Sequence, residues 1–93
     1  MTLQVFSDAL IRYGYTETID SMTCTYKKGD TTISYGGDHG IITMTIGKWI
    51  RYAERYSGFG QLYKKCEEIL LIVKKINRKE RINKVLQQQI LSD

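Results

Sequence analysis

The sequence predicts an α+β domain in which one helix precedes a three-stranded antiparallel meander, and two or three helices then cover one face of the sheet. Two changes of hydrophobic period support this prediction. Apolar residues recur at helical spacing before residue 14 and after residue 47, and they alternate with polar residues between Thr18 and Ile46. A chain of 93 residues has room for one small core, so residues 1–93 are predicted to form a single domain.

The first helix is predicted over residues 3–13. Thr2 can cap its start, and Gly14 can adopt the left-handed conformation that ends a helix. The residues that share its apolar stripe are Leu3, Phe6, Leu10 and Tyr13.

Three strands are predicted at residues 21–27, 31–35 and 41–46, joined by the glycine-containing segments KGD and GGDHG. The predicted apolar face consists of Met22, Cys24, Tyr26, Ile33, Tyr35, Ile42, Met44 and Ile46. The opposite face carries threonine, serine and lysine, with Ile41 as its one apolar member. A sheet with this division has one face under helices and the other in water.

A second helix is predicted over residues 48–57, because its apolar residues fall at helical spacing. We expect this stripe, Trp49, Tyr52, Ala53 and Tyr56, to pack on the sheet. A competing prediction extends the third strand through Trp49. Trp49 and Arg51 would then lie on the polar face, as an aromatic and basic platform of the kind that single-stranded nucleic acids use.

A third helix is predicted from the stripe Leu62, Cys66, Ile69, Leu70, Val73 and Ile76, which we expect to be central to the core. This stripe loses its phase after Ile76, so a fourth helix is predicted over residues 78–91, capped by Asn77. The fourth helix has its own stripe, which is predicted to be an interaction or homodimerisation surface: Ile82, Val85, Leu86 and Ile90.

The predicted α-β-β-β-α order up to residue 76 is similar to that of double-stranded RNA-binding domains. The resemblance is one of topology. At the start of the second helix this chain has GKWIRYAERYSG, with Lys48 alone where that family places a run of lysines. No binding residue is therefore carried over from the family.

The net charge of +4 is unevenly distributed along the chain. Residues 1–47 hold three basic and five acidic side chains, a balance of −2, whereas residues 48–93 hold eleven and five, a balance of +6. The positive field therefore belongs to the C-terminal half. The residues predicted to bind a partner or a nucleic acid are Lys74, Lys75, Arg78, Lys79, Arg81, Lys84, Arg51 and Arg55.

No motif in the sequence indicates catalysis. Asp38 and His39 lie in a predicted hairpin turn. Cys24 and Cys66 lack metal-ligand spacing, so both are predicted to be reduced core thiols, with a disulfide as the alternative. Neither a phosphate-binding loop nor a dinucleotide fingerprint is found. We therefore expect a non-enzymatic protein with no catalytic residue, metal or cofactor.

The longest apolar run, residues 69–73, is far shorter than the roughly 20 residues that a membrane span requires, and the first residues do not resemble a signal peptide. A cytoplasmic protein without membrane association is therefore expected.

The leading functional hypothesis is a small protein-interaction module that presents its basic helices and polar sheet face to a partner. In size and in its lack of active-site motifs the chain is similar to the small inhibitors that phages encode against host defence or nucleic-acid-processing complexes, anti-CRISPR proteins among them. The alternative hypothesis is direct RNA or DNA binding by residues 74–84, with Trp49, Arg51 and Arg55 as accessories. The sequence leaves the identity of the partner and the oligomeric state open.

Overall fold

The computed structural model describes the backbone of residues 1–91 and the side chains of residues 1–83. The described elements are α1 (Leu3–Arg12), β1 (Thr16–Asp20), β2 (Thr23–Lys28), β3 (Thr31–Tyr35), β4 (His39–Ile46), β5 (Trp49–Ser57) and α2 (Phe59–Leu91). The strands form one antiparallel sheet in chain order. The α+β class is confirmed, but the three-stranded meander with two or three following helices is wrong, because the sheet has five strands and one helix follows it.

Helix α1 begins and packs as its sequence predicts. The Thr2 hydroxyl accepts a hydrogen bond from the Val5 N–H at 3.3 Å, which satisfies one of the donors left free at a helix start. Phe6 and Leu10 are fully buried. Gly14 follows with a φ of +97°, a conformation that glycine adopts without steric penalty.

Strand β1 is absent from the prediction because one of its inward positions is a carboxylate. Glu17 lies opposite Tyr26 in the register, on the face that the helices cover. Its Oε2 accepts hydrogen bonds from the Ser7 hydroxyl and, at 2.7 Å, from the Tyr26 hydroxyl. These two bonds allow a charged residue to lie where the alternation calls for an apolar one.

Residues 49–57 form an edge strand, so the predicted second helix is wrong. The competing prediction is also wrong, because Trp49 begins a separate strand and does not extend the preceding one. Gly47 and Lys48 make a two-residue turn that folds β5 back on β4, with Ile46 opposite Trp49. A β-bulge then adds one residue to β5, because Thr45 pairs with Ile50 and Met44 pairs with Tyr52. The extra residue is Arg51. The inserted residue shifts the alternation of β5 by one position. Residues 49, 52 and 56 therefore all face the core side of the sheet, and their spacing of three and four residues resembles that of a helix.

Helix α2 runs without a break through the junction at which a third and a fourth helix were predicted. The stripe loses its phase there because α2 is about 50 Å long, whereas the longest strand spans about 30 Å, so the helix extends past the sheet. Beyond Val73, the last buried residue described, polar side chains meet water. Glu80 occupies an expected apolar position and pairs instead with Lys28, at 3.8 Å.

The hydrophobic core lies between the two helices and one face of the sheet, as the alternation predicts. Its sheet residues include Tyr26, Ile33, Ile42 and Met44, all at most 1% exposed. Helix α2 contributes Leu62, Cys66, Ile69, Leu70 and Val73, so its predicted central place in the core is confirmed. Met22 is a correction, since it lies in the turn before β2 and is 78% exposed.

The other face of the sheet is polar and is not covered by either helix. Thr18, Thr25, Ser34 and Thr43 lie side by side across four strands, and the Ser34 and Thr43 hydroxyls are 3.2 Å apart. Ile41 is the half-exposed apolar residue that the sequence predicts on this face, and Ile50 of β5, opposite Thr45, is a second one. No helix in the described part of the chain is long and apolar enough to span a bilayer.

Candidate functional site

A groove of about 210 Å³ lies between strand β5 and the middle of helix α2. We call it the β5–α2 groove and define it by its lining residues, Arg51, Ile72, Lys75, Ile76, Arg78, Lys79 and Ile82. The helical members recur at three- and four-residue intervals, so they form one face of α2. The bulge turns Arg51 to the same side. The groove therefore has an isoleucine floor and a rim of four cations.

No carboxylate of residues 1–83 forms an ion pair with Arg51, Lys75, Arg78 or Lys79. The ion pairs in this part of the chain join the N-terminal amine to Glu67, Lys28 to Glu80, and His39 to Asp38. Glu80, the carboxylate nearest in sequence, is paired with Lys28 instead. The positive charge of the groove is therefore available to an anionic ligand.

Trp49 lies two residues before Arg51 on the same strand and is 80% exposed. Ile50, between them, is 73% exposed and lies on the open face opposite Thr45. The predicted burial of the aromatic side chains is thus wrong for Trp49. It is correct for Tyr56, which is 4% exposed, and Tyr52 packs at the margin of the core.

The two tyrosines of β5 have structural roles. The Tyr52 hydroxyl donates to Glu68 of α2, and burial, with help from Glu68 and Glu54, raises the pKa of Tyr52. The Tyr56 hydroxyl accepts from the Gly36 N–H at 3.1 Å and lies against the Gly36 and Gly37 carbonyl oxygens. A side chain on Gly36 would come within 2.8 Å of the Met22 carbonyl oxygen, so glycine is required there. These contacts fix β5 to the body of the protein.

The structure divides the predicted binding residues among several surfaces. Arg51, Lys75, Arg78 and Lys79 meet in the groove, whereas Lys74 lies on the α1 side of the helix beside Met1. Arg55 pairs with Ile41 and therefore projects from the open face. Arg81 is exposed. Lys84, Val85, Leu86 and Ile90 lie outside the residues whose side chains are described, and Ile82 is 52% exposed.

The only histidine contacts a serine that the sequence does not place near it. His39 Nδ1 lies 3.2 Å from Ser57 Oγ, and His39 Nε2 lies 3.8 Å from Asp38. All three side chains are exposed, and none lines a cavity among those found in residues 1–83. An acid–base pair in open water lacks the fixed geometry that catalysis requires.

The cysteines and the carboxylates of the described residues are too dispersed to form a metal site. Burial raises the pKa of Cys66 to about 12, so that thiol stays protonated. Within the described residues no three His, Cys, Asp or Glu side chains are grouped to hold a metal ion.

A second cluster, which sequence reasoning missed, joins α1 to β1 and β2. Hydrogen bonds to its carboxylate hold the pKa of Glu17 below its usual value. The bond from the Ser7 hydroxyl has the larger effect, and the bond from the Tyr26 hydroxyl has the next largest. Burial raises the pKa of Tyr26 to about 12. The sequence signal that could have revealed β1 is the alternation in TETID, in which Glu17 and Ile19 lie on the face that the helices cover.

Comparison with protein-family models, with curated proteins and with solved structures finds no significant match. The function must therefore be inferred from the candidate site itself.

Proposed function

We propose that this protein binds single-stranded nucleic acid, with the cations of the β5–α2 groove on the phosphates and Trp49 stacked on a base. The exposure of Trp49, two residues from Arg51 of that groove, is the observation that supports the proposal most directly. Leaving about four-fifths of an indole in water forgoes roughly 5 kcal/mol of burial. A ligand that covers the ring would recover part of this free energy.

The charge of the groove fits a polyanion. Four cations that have no carboxylate partner among residues 1–83 surround an apolar floor, so phosphates can approach without displacing an ion pair in this part of the chain. Each phosphate contact to a single strand contributes about 0.7 to the salt slope, so four contacts give a slope of about −2.8. Affinity should then fall by about 50-fold between roughly 50 and 200 mM salt.

A single strand suits this surface better than a duplex does. The indole can stack only on a base that has left its own stack, and the unstacked bases of single strands provide such a face. Base stacking on an aromatic side chain contributes about 1–3 kcal/mol and tolerates any sequence. We therefore expect sequence-tolerant binding to single-stranded RNA or DNA.

The test is a fluorescence-anisotropy titration of labelled single- and double-stranded oligonucleotides over a range of salt concentrations. Arg51→Gln with Arg78→Gln should reduce the salt slope for a single strand from about −2.8 to about −1.4. The matched control is Lys27→Gln with Lys64→Gln, which removes the same charge from exposed positions outside the groove and should leave the slope unchanged. Equal losses in both double variants, or no binding at low salt, would refute the proposal.

A protein partner is the second candidate for the same surface. Ile82, at 52% exposed, adds apolar area to the groove that Arg51 lines, and tryptophan and arginine are enriched among the residues that dominate protein interfaces. A complex captured from a native lysate that persists at high salt after nuclease treatment, and is lost on Trp49→Ala, would favour this candidate.

A further inference from the structure

A trough runs along the opposite edge of the molecule, between α1 and the inward face of β1 and β2. It consists of two adjoining depressions of about 200 and 320 Å³ that share Leu3, Ile19, Cys24 and Tyr35. Together they are comparable in size with the pockets that hold small ligands. We call this surface the α1–β1 trough. It lies at the other edge of the sheet from the β5–α2 groove.

The walls of the larger depression are mostly apolar, and several of its side chains face water. Ile19 is 68% exposed, Met22 is 78% exposed, and Phe59, the first residue of α2, is 47% exposed at the far end. The trough is also bounded. Gln4 and Ser7 of α1 line one end, and the turn between β1 and β2 lines the other. A bounded depression of this size suits a compact molecule better than an extended chain.

The charges that line the trough are all negative. Glu17 lies at one end and Asp20 at the other, and neither depression is lined by a lysine, arginine or histidine. Both hydrogen bonds that fix Glu17 end on its Oε2. Its Oε1 is thus the acceptor that remains for a ligand, in a carboxylate whose orientation is already set.

We infer that the α1–β1 trough binds a small amphipathic amine, with its apolar group along Ile19 and Met22 and its ammonium group on Glu17. The inference is independent of the nucleic-acid proposal, since the two surfaces share no residue. An ammonium donor to an ionised carboxylate makes a charge-assisted hydrogen bond, and such bonds are about twice as strong as neutral ones. The apolar walls provide the rest of the affinity by burial.

The test uses three probes that share an indole ring and differ in charge: tryptamine, which is a cation, tryptophol, which is neutral, and indole-3-acetate, which is an anion. Each is titrated into the ¹⁵N-labelled protein and followed by amide chemical shifts. Tryptamine should bind about tenfold more tightly than tryptophol, the factor that one charge-assisted bond supplies, and indole-3-acetate should bind most weakly. The shifts should appear at Ser7, Glu17 and Ile19.

Two variants complete the test. Glu17→Gln retains the shape and an acceptor for the Ser7 and Tyr26 hydroxyls, and it should lower tryptamine affinity to that of tryptophol. The control is Glu67→Gln, an exposed carboxylate outside the trough, which should change nothing. Equal affinity for all three probes, shifts confined to the region of Trp49, or a lysine-containing peptide that binds more tightly than tryptamine would each overturn the inference. If Glu17→Gln fails to fold, the order of the three probes on the unaltered protein still decides it.

Discussion

Replacing Trp49 by alanine separates a structural role for the indole from a ligand-binding role. About one-fifth of the ring is covered in the free protein, which for an area of roughly 250 Å² is about 50 Å². At about 25 cal/mol per Å² this burial contributes roughly 1.2 kcal/mol to stability. The melting temperature should therefore fall by no more than about 10 °C.

The same substitution should have a larger effect on the nucleic-acid complex. Loss of one base stack costs about 1–3 kcal/mol, so the affinity for a single strand should fall by about 5- to 150-fold. The salt slope should not change, because no phosphate contact is removed. Trp49→Phe, which keeps an aromatic face, should recover part of the affinity.

The assay is anisotropy titration together with thermal unfolding of the same preparations. Tyr56→Ala is the contrasting variant, since Tyr56 is 4% exposed and its truncation should cost about 3–5 kcal/mol of folding stability. If Trp49→Ala destabilises the protein as much as Tyr56→Ala does, the indole is a structural residue. If affinity for the single strand is unchanged, stacking on Trp49 is wrong.

Three further predictions follow from the fold. Tyr56→Phe should lower the free energy of unfolding in urea by about 1–3 kcal/mol, because the Gly36 N–H loses its acceptor, whereas Tyr63→Phe, whose hydroxyl bonds to no described residue, should have little effect. The folded-state pKa of Glu17 lies below its unfolded value, so the stabilisation from its ionised form is complete above the unfolded pKa and is lost as the pH falls through the folded pKa. The stability advantage of the unaltered protein over Glu17→Gln should accordingly shrink on acidification, and an advantage that grew would contradict this assignment. Finally, the predicted dimerisation of α2 through its stripe would make Ile82→Glu sediment as a monomer and leave Leu71→Glu, about three turns earlier in the helix and outside the predicted stripe, a dimer. A monomeric unaltered protein would end that hypothesis.

The elements that local pattern alone determines are α1, β3, the greater part of β2 and β4, and the buried stripe of α2. In each of them the residues that face the core recur at a single period, so periodicity reports the backbone conformation directly. The division of the meander into a buried and a polar face follows for the same reason. The concentration of positive charge in the C-terminal half is also a property of the sequence, whatever the fold.

The remainder was decided by contacts between residues that are distant in sequence. Strand β1 was not predicted because Glu17 is a charged residue on its core-facing side. The hydroxyls that stabilise this carboxylate come from α1 and β2, which are distant in sequence. The bulge at Arg51 makes β5 resemble a helix, since one inserted residue changes a period of two into an apparent period near four. Helix α2 appears to break because its surroundings change from core to water, although its backbone does not change.

The candidate site shows the same division most clearly. The sequence supplies the cations and the aromatic side chains, but the exposure of Trp49 and the meeting of Arg51 with the cations of α2 exist only once β5 has folded back on β4 and α2 has packed across the sheet. Side-chain character is a local property, whereas exposure depends on which neighbour covers a residue. The nature of the groups at the site was therefore fixed by the amino-acid sequence, and their availability to a ligand was fixed by the tertiary structure.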